Sequence, residues 1–153
     1  MAKERTFVMI KPDGVSRRLI GECIKRLEQR GFKLVAIKMQ ILTREKAEEH
    51  YKEHKGKDFF ENLISFITSG PTIQMVWEGE DAIKQVRTMI GDTNPLKAVP
   101  GTIRGDFALI TQNNVIHASD SLQSAEREIE LYFSPQEIVK YTTDDEKWLT
   151  NKG

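Results

Sequence analysis

Thr6-Phe7-Val8-Met9-Ile10, followed at once by Lys11-Pro12-Asp13-Gly14, sets the first element of the fold. Five β-forming residues in a row read as a strand, and the proline and glycine behind them force a turn. The strand therefore delivers Lys11 to its carboxyl end. Beyond the turn, Ile20, Cys23, Ile24 and Leu27 recur at helical spacing, with Gly31 placed to stop the helix. Residues 33–42 return as a second strand. Thr43 is placed to cap a helix over 44–52, and Asp58 to cap another over 59–68, which Gly70-Pro71 closes. A third strand is expected over 72–78, a helix over 81–90 from the spacing of Ile83, Val86 and Ile90, and a fourth strand over 107–111. A last helix spans 124–133, ending at Ser134-Pro135.

This order contains no repeat, no linker-like stretch and no compositional break, so one domain over residues 1–153 is expected. Four strands with crossover helices suit an α/β (α+β) ferredoxin-like sandwich: a four-stranded antiparallel sheet with its helices on one face. Composition narrows the class further. Hydrophobic residues make up 39% and charged residues 30%, with ten Gly and five Pro, which excludes disordered and collagen-like chains. Lys and Arg balance Asp and Glu at 23 each, so no global field favours nucleic acid or an anionic membrane. Any attraction for phosphate must be local. The single cysteine, Cys23, has no partner for an internal disulfide, and the apolar runs are too short to cross a bilayer, so a cytoplasmic setting without a targeting or membrane segment is expected.

Three histidines exist. His50 and His54 lie four residues apart on a predicted helix, but Glu48, Glu49, Lys52, Glu53 and Lys55 surround them, and this reads as a solvated face with no metal. His117 differs, because it follows a strand in Asn114-Val115-Ile116-His117-Ala118-Ser119-Asp120-Ser121, a polar turn ahead of the last helix. On position alone, catalysis and a structural pairing with Asp120 are evenly matched. The one long aperiodic connection, 91–105, holds Thr93 and is bracketed by Arg87 and Arg104; with Lys11 these form a set suited to phosphate oxygens.

The segment around His117 resembles the active-site signature of the nucleoside diphosphate kinases, Asn-x-x-His-Gly/Ala-Ser-Asp. Further family segments follow in order: Ile10-Lys11-Pro12-Asp13-Gly14-Val15, Ser69-Gly70-Pro71, Met75-Val76-Trp77-Glu78-Gly79, Thr93-Asn94-Pro95 and Pro100-Gly101-Thr102-Ile103-Arg104-Gly105-Asp106-Phe107. The resemblance implies a reversible γ-phosphoryl transfer from a nucleoside triphosphate, mainly ATP, to a nucleoside diphosphate. It makes His117 the nucleophile of a ping-pong exchange through a phosphohistidine, with Glu128 orienting the ring and Ser119 in support. It assigns Lys11, Tyr51, Arg87, Thr93 and Arg104 to the phosphates and Asn114 to the sugar, and it implies Mg²⁺ held mainly by the phosphates rather than by the protein. Phe59 would stack on the base with Leu63 one turn along, although the apolar stripe Phe59, Phe60, Leu63, Ile64 and Ile67 also reads as core, the favoured reading for Leu63.

Two other readings compete. A base-stacking RNA module is disfavoured by the zero net charge and by the lack of its aromatic motif on the strands. A silent family member kept as a nucleotide-binding regulatory or scaffold subunit is disfavoured by the intact His117 and phosphate set. The resemblance also implies a homo-oligomer, a hexamer first and otherwise a tetramer, and Trp148 and Leu149 in the polar tail are poorly placed unless packed against something.

Overall fold

In the computed structural model, residues 3–150 are described. Strand β1 (Lys3–Ile10) runs into a short helix, α1 (Pro12–Ser16), where a turn was expected; Pro12 at its first position is preorganised for helix. Helix α2 (Ile20–Arg30) ends at Gly31, whose φ of 116° only glycine adopts freely. β2 (Lys33–Gln40) leads to α3 (Arg44–His50), where the Thr43 hydroxyl accepts from the Lys46 amide as expected. Helix α4 (Phe60–Ile67) starts without a side-chain cap: Phe59 takes the capping position, and Asp58 does not serve as predicted. Then come β3 (Thr72–Glu80) and α5 (Ala82–Ile90). The expected aperiodic connection holds a 3-10 turn at Pro95–Lys97 and runs into α6 (Ile103–Phe107). β4 (Ile116–Ala118), α7 (Leu122–Tyr132), a 3-10 turn at Pro135–Glu137 and α8 (Glu146–Leu149) complete the chain.

The sheet is antiparallel throughout, in the order β2-β3-β1-β4. This is the ferredoxin-like sheet, but two expectations need correction. The fourth strand is not residues 107–111. Phe107 ends α6, its carbonyl accepts from the Arg17 guanidinium at 2.6 Å, and Leu109 behind it is 76% exposed. The apolar residues there imitate a strand without a sheet to join, and the edge position beside β1 goes to the three residues around His117.

Nor do the helices keep to one face. Along β1, Val8 and Ile10 enter a core with α2, α5 and α6, while Phe7 and Met9 enter a second core with α3, α4 and α7. Side chains alternate across a strand, so four consecutive buried residues require cover on both sides. The tail closes over β2: the Val139 amide donates to the Val35 carbonyl at 2.9 Å, and Glu146 pairs with Lys3 and Lys33. Of the two apolar tail residues, Leu149 packs onto Gly31 and Trp148 stays exposed.

The ends of β1 and β4 meet closely. A Cβ on Gly14 would lie 2.7 Å from Ile10 Cγ2 and 2.8 Å from the Val115 carbonyl oxygen, whereas one on Gly21, within α2, meets nothing within 4 Å. Gly14→Ala should destabilise the fold by about 2 kcal/mol or more, and Gly21→Ala should be neutral or stabilising by up to about 1 kcal/mol. Urea unfolding of both variants checks this. Equal stabilities would show that the junction gives way freely.

Candidate active site

Everything in the site hangs from the turn between α6 and β4. Val115 has φ 74°, a left-handed conformation unusual for a β-branched residue. It is held there from both sides: its carbonyl accepts from the Lys11 amide at 2.8 Å, and its amide donates to Asp13 Oδ2 at 3.0 Å. This reversal turns the Asn114 side chain inward. Its Oδ1 accepts from Lys11 Nζ at 2.8 Å and its Nδ2 donates to the Thr93 carbonyl at 3.0 Å, tying the first strand and the long connection to one buried amide.

Three residues after Asn114, His117 stands in β4 opposite Met9. Its Nε2 lies 2.9 Å from Glu128 Oε1, and the same oxygen accepts from the Ser119 hydroxyl at 2.7 Å. Glu128 is buried on the inner face of α7, only 4% exposed. Burial alone would raise its carboxyl, but the hydrogen bond and charge of His117, with the Ser119 hydroxyl, outweigh it and hold the group at about 2. It stays ionised at neutral pH. With Nε2 engaged, Nδ1 is the ring nitrogen left for chemistry.

His117 opens onto a cleft of about 450 Å³, within the ordinary range for small-molecule sites. Lys11, Arg87, Thr93, Arg104 and Asn114 line it together with Tyr51, Phe59 and Leu63. Nine of the eleven residues singled out from sequence thus converge on one wall, and the other two, Glu128 and Ser119, stand behind His117. Leu63 is half-buried and faces the cleft, so its reading as core is corrected.

The cleft is strongly cationic, with no carboxylate among the described residues that line it. Arg104 is buried and bonded only to carbonyls: its Nε donates to Asn114 at 3.3 Å and one terminal nitrogen to Gly91 at 3.1 Å. Burial first, and the Arg87 charge second, bring its guanidinium down to about 10. Lys11 falls to about 8, again through burial and then the charge of Arg104. Both cations are under-compensated, which is the electrostatic signature of a site awaiting an anion. Tyr51 keeps its proton, since burial pushes its phenol up to about 12.

Sequence reasoning missed several neighbours. Asn62 shares the cleft face of α4 with Phe59 and Leu63, a spacing of three and four residues that could have revealed it. His54, Thr111 and Gln112 also line the cleft. The reading of His50 and His54 as one solvated face fails for His50, while His54 is half-buried and borders the cleft. His50 is 4% exposed, its Nδ1 lies 3.1 Å from the Tyr132 hydroxyl, and its ring centre is 4.9 Å from that of His117. Charged neighbours in sequence project from the other side of the short helix, and only the fold shows which side is inward. One nitrogen of His50, one of His117 and a Glu128 oxygen lie within 4.8 Å of one another, the one cluster of metal-ligating type found among the described residues. Within it His117 Nε2 and Glu128 Oε1 are already joined by a hydrogen bond.

The comparisons with known proteins agree along the chain. The sequence profile of nucleoside diphosphate kinases matches residues 4–138. A nucleoside diphosphate kinase of Archaeoglobus fulgidus is 61% identical over 146 residues, covering 95% of this chain and 97% of its own length. One from Methanocaldococcus jannaschii is 64% identical over 136 residues, covering 89% and 97%. Among solved structures, a nucleoside diphosphate kinase of Halobacterium salinarum in complex with CDP superposes with a TM-score of 0.95 at 49% identity, over 98% of this chain and 100% of its own. A family protein from Babesia bovis gives 0.94 at 46% identity, over 96% and 99%. The chain belongs to the nucleoside diphosphate kinase family.

Proposed function

We propose that His117 carries a phosphoryl group between nucleotides in a ping-pong exchange, from a nucleoside triphosphate, chiefly ATP, to a nucleoside diphosphate. The observation that carries this reading is the His117 Nε2 to Glu128 Oε1 contact at 2.9 Å, beside a cleft lined by three cations. Neutral His117 attacks the γ-phosphorus through Nδ1 as the bond to the bridging oxygen breaks, and the diphosphate leaves. The imidazolium so formed keeps its proton on Nε2, donated in a hydrogen bond to Glu128, whose ionised carboxylate offsets the new charge. A second diphosphate enters the same cleft and reverses the steps. Because donor and acceptor are the same kind of molecule, one site serves both halves.

Phosphoryl transfer spreads charge over the peripheral oxygens, so fixed cations contribute most of the stabilisation. Lys11, Arg87 and Arg104 supply charge, and Thr93 and Tyr51 supply hydroxyls. Mg²⁺ enters as part of the nucleotide substrate, since a cleft without carboxylates gives a hard cation few protein ligands. Bound with the nucleotide, it would offset phosphate charge alongside Lys11, Arg87 and Arg104. Asn114 faces the sugar, and exposed Phe59 with Leu63 gives the base an apolar wall, a contact tolerant of base identity. The complex of the Halobacterium salinarum relative with CDP supports nucleotide binding by this chain.

We further propose one domain over 1–153, a homohexamer with a tetramer as the alternative, and a cytoplasmic setting without nucleic-acid partners. Ile37 and Met39 stand exposed on edge strand β2 and Ile41 just beyond its end, with Leu96, Val99 and Trp148 elsewhere, apolar surface that a subunit contact would cover. Among the described residues no helix is long and apolar enough to cross a membrane, and the one thiol is buried.

Three measurements test this. Incubation with γ-labelled ATP and Mg²⁺ should give acid-labile, alkali-stable label on the protein, discharged by GDP or UDP and absent in His117→Ala; label that persists in the variant overturns the choice of nucleophile. Lys11 is lowered to about 8 in the free protein, and bound phosphates should raise it again, so ADP binding should take up protons and weaken as the pH climbs above 8. Titration calorimetry at pH 8.5 in buffers of different ionisation enthalpy detects that uptake, and identical enthalpies would remove Lys11 from the phosphate site. Sedimentation should give six times the 17.6 kDa chain mass. A fourfold mass overturns the hexamer, and a monomer overturns assembly altogether.

A further inference from the structure

His50 is buried, titratable and absent from the cleft wall, and the exchange described above does not use it. Its surroundings bear on a problem the site must solve. The bond from Nε2 to Glu128 fixes where the far end of the His117 ring points, but a single hydrogen bond leaves the ring free to tilt about it. Nδ1 must nevertheless be aimed at a phosphorus atom, where small misplacements are costly.

The ring faces are held by other rings. Phe7 lies 6.0 Å from His117 at 55°, and His50 meets it at 4.9 Å and 74°, an edge-to-face contact. His50 is held in turn by Tyr132, whose hydroxyl is 3.1 Å from its Nδ1. Tyr132 stacks on Phe7 at 4.9 Å and 9°, so the four rings close on themselves. Tyr51 covers another side of His50 at 4.8 Å and 80°.

Packing alone would be served by an apolar ring, and burying an imidazole without a partner is costly. The Tyr132 hydroxyl is that partner. Burial raises its phenol, so it keeps its proton, and burial chiefly, with the charge of His117, lowers His50 to about 3. A neutral imidazole with a hydroxyl donor at Nδ1 carries its own proton on Nε2. The tautomer and plane of His50 are then set together.

Resting on the reading of His117 as the phosphoryl carrier, we propose that Tyr132 and His50 are positioning residues for it. The Tyr132 hydroxyl donates to His50 Nδ1, and His50, locked in one tautomer and one plane, bears on the His117 ring so that Nδ1 faces the cleft. Neither touches the nucleotide.

Single-turnover phosphorylation by saturating ATP, with ADP affinity and Tm, decides this for wild type, Tyr132→Phe, His50→Phe and the double variant. Tyr132→Phe keeps the stack on Phe7 and removes only the hydroxyl. It should slow labelling about tenfold with ADP affinity within about twofold of wild type, and His50→Phe should do the same. The double variant should be no slower than His50→Phe, because the hydroxyl acts only through His50. A Tyr132→Phe protein that labels at the wild-type rate with only a lower Tm overturns the inference, as does a double variant showing the product of both losses. Should His50→Phe fail to fold, nitrogen-15 NMR of His50 decides: an unprotonated Nδ1 in wild type that becomes mixed in Tyr132→Phe is expected, and a protonated Nδ1 in wild type overturns it. A wild-type protein that takes no label overturns the His117 reading itself, an outcome distinct from a labelled wild type with an unaffected Tyr132→Phe.

Discussion

The clamp on Val115 is the constraint from which the rest of the site follows. A β-branched residue with positive φ is unfavourable by about 1–2 kcal/mol, and two hydrogen bonds, from the Lys11 amide and to Asp13, hold it there. Release that turn and Asn114 no longer points inward, Lys11 loses the acceptor for its ammonium group, and His117 leaves the sheet at another angle. The Lys11-Pro12-Asp13-Gly14 segment is thus a fastening before it is a binding loop. Its glycine lets two backbones approach, its aspartate caps the strained amide, and its lysine bridges to the buried amide of Asn114.

Charge follows the same plan. Two of the three phosphate cations sit on helices of one core, Arg87 on α5 and Arg104 on α6, with Lys11 at the end of β1, while Glu128 and the ring cluster belong to the other face of the sheet. β1 and β4 separate the two sets, and His117 stands at their seam. Bare cations and an ionised carboxylate therefore coexist within one small cleft and its floor without neutralising one another. Arg104 remains bonded to carbonyls and Glu128 remains bonded to His117 and Ser119.

How much of this was legible in the sequence depends on the range over which each signal acts. Helical spacing at Ile20, Cys23, Ile24 and Leu27 and the stop at Gly31 are local, and α2 forms as they imply. β4 is three residues long, too short to carry a pattern, while Phe107, Leu109 and Ile110 offered a better imitation nearby. The unbroken apolar run of β1 already held the information that both faces are covered, since strict alternation would have meant one wet face. The individual site residues came from resemblance: no periodicity relates Lys11 to Asn114 across 103 positions. His50 shows the opposite failure, because its acidic and basic neighbours masked a side chain that tertiary packing turns inward.

The two tryptophans occupy opposite extremes of environment. Trp77 is fully enclosed in the middle of the sheet, and Trp148, at 77% exposure, stands in solvent with the Lys147 ammonium 5.4 Å from its ring. Their emission bands are therefore separated in wavelength, and a water-soluble quencher reaches only one of them. The chain carries two intrinsic optical reporters, a blue one for the integrity of the sheet and a red one for whatever approaches the tail.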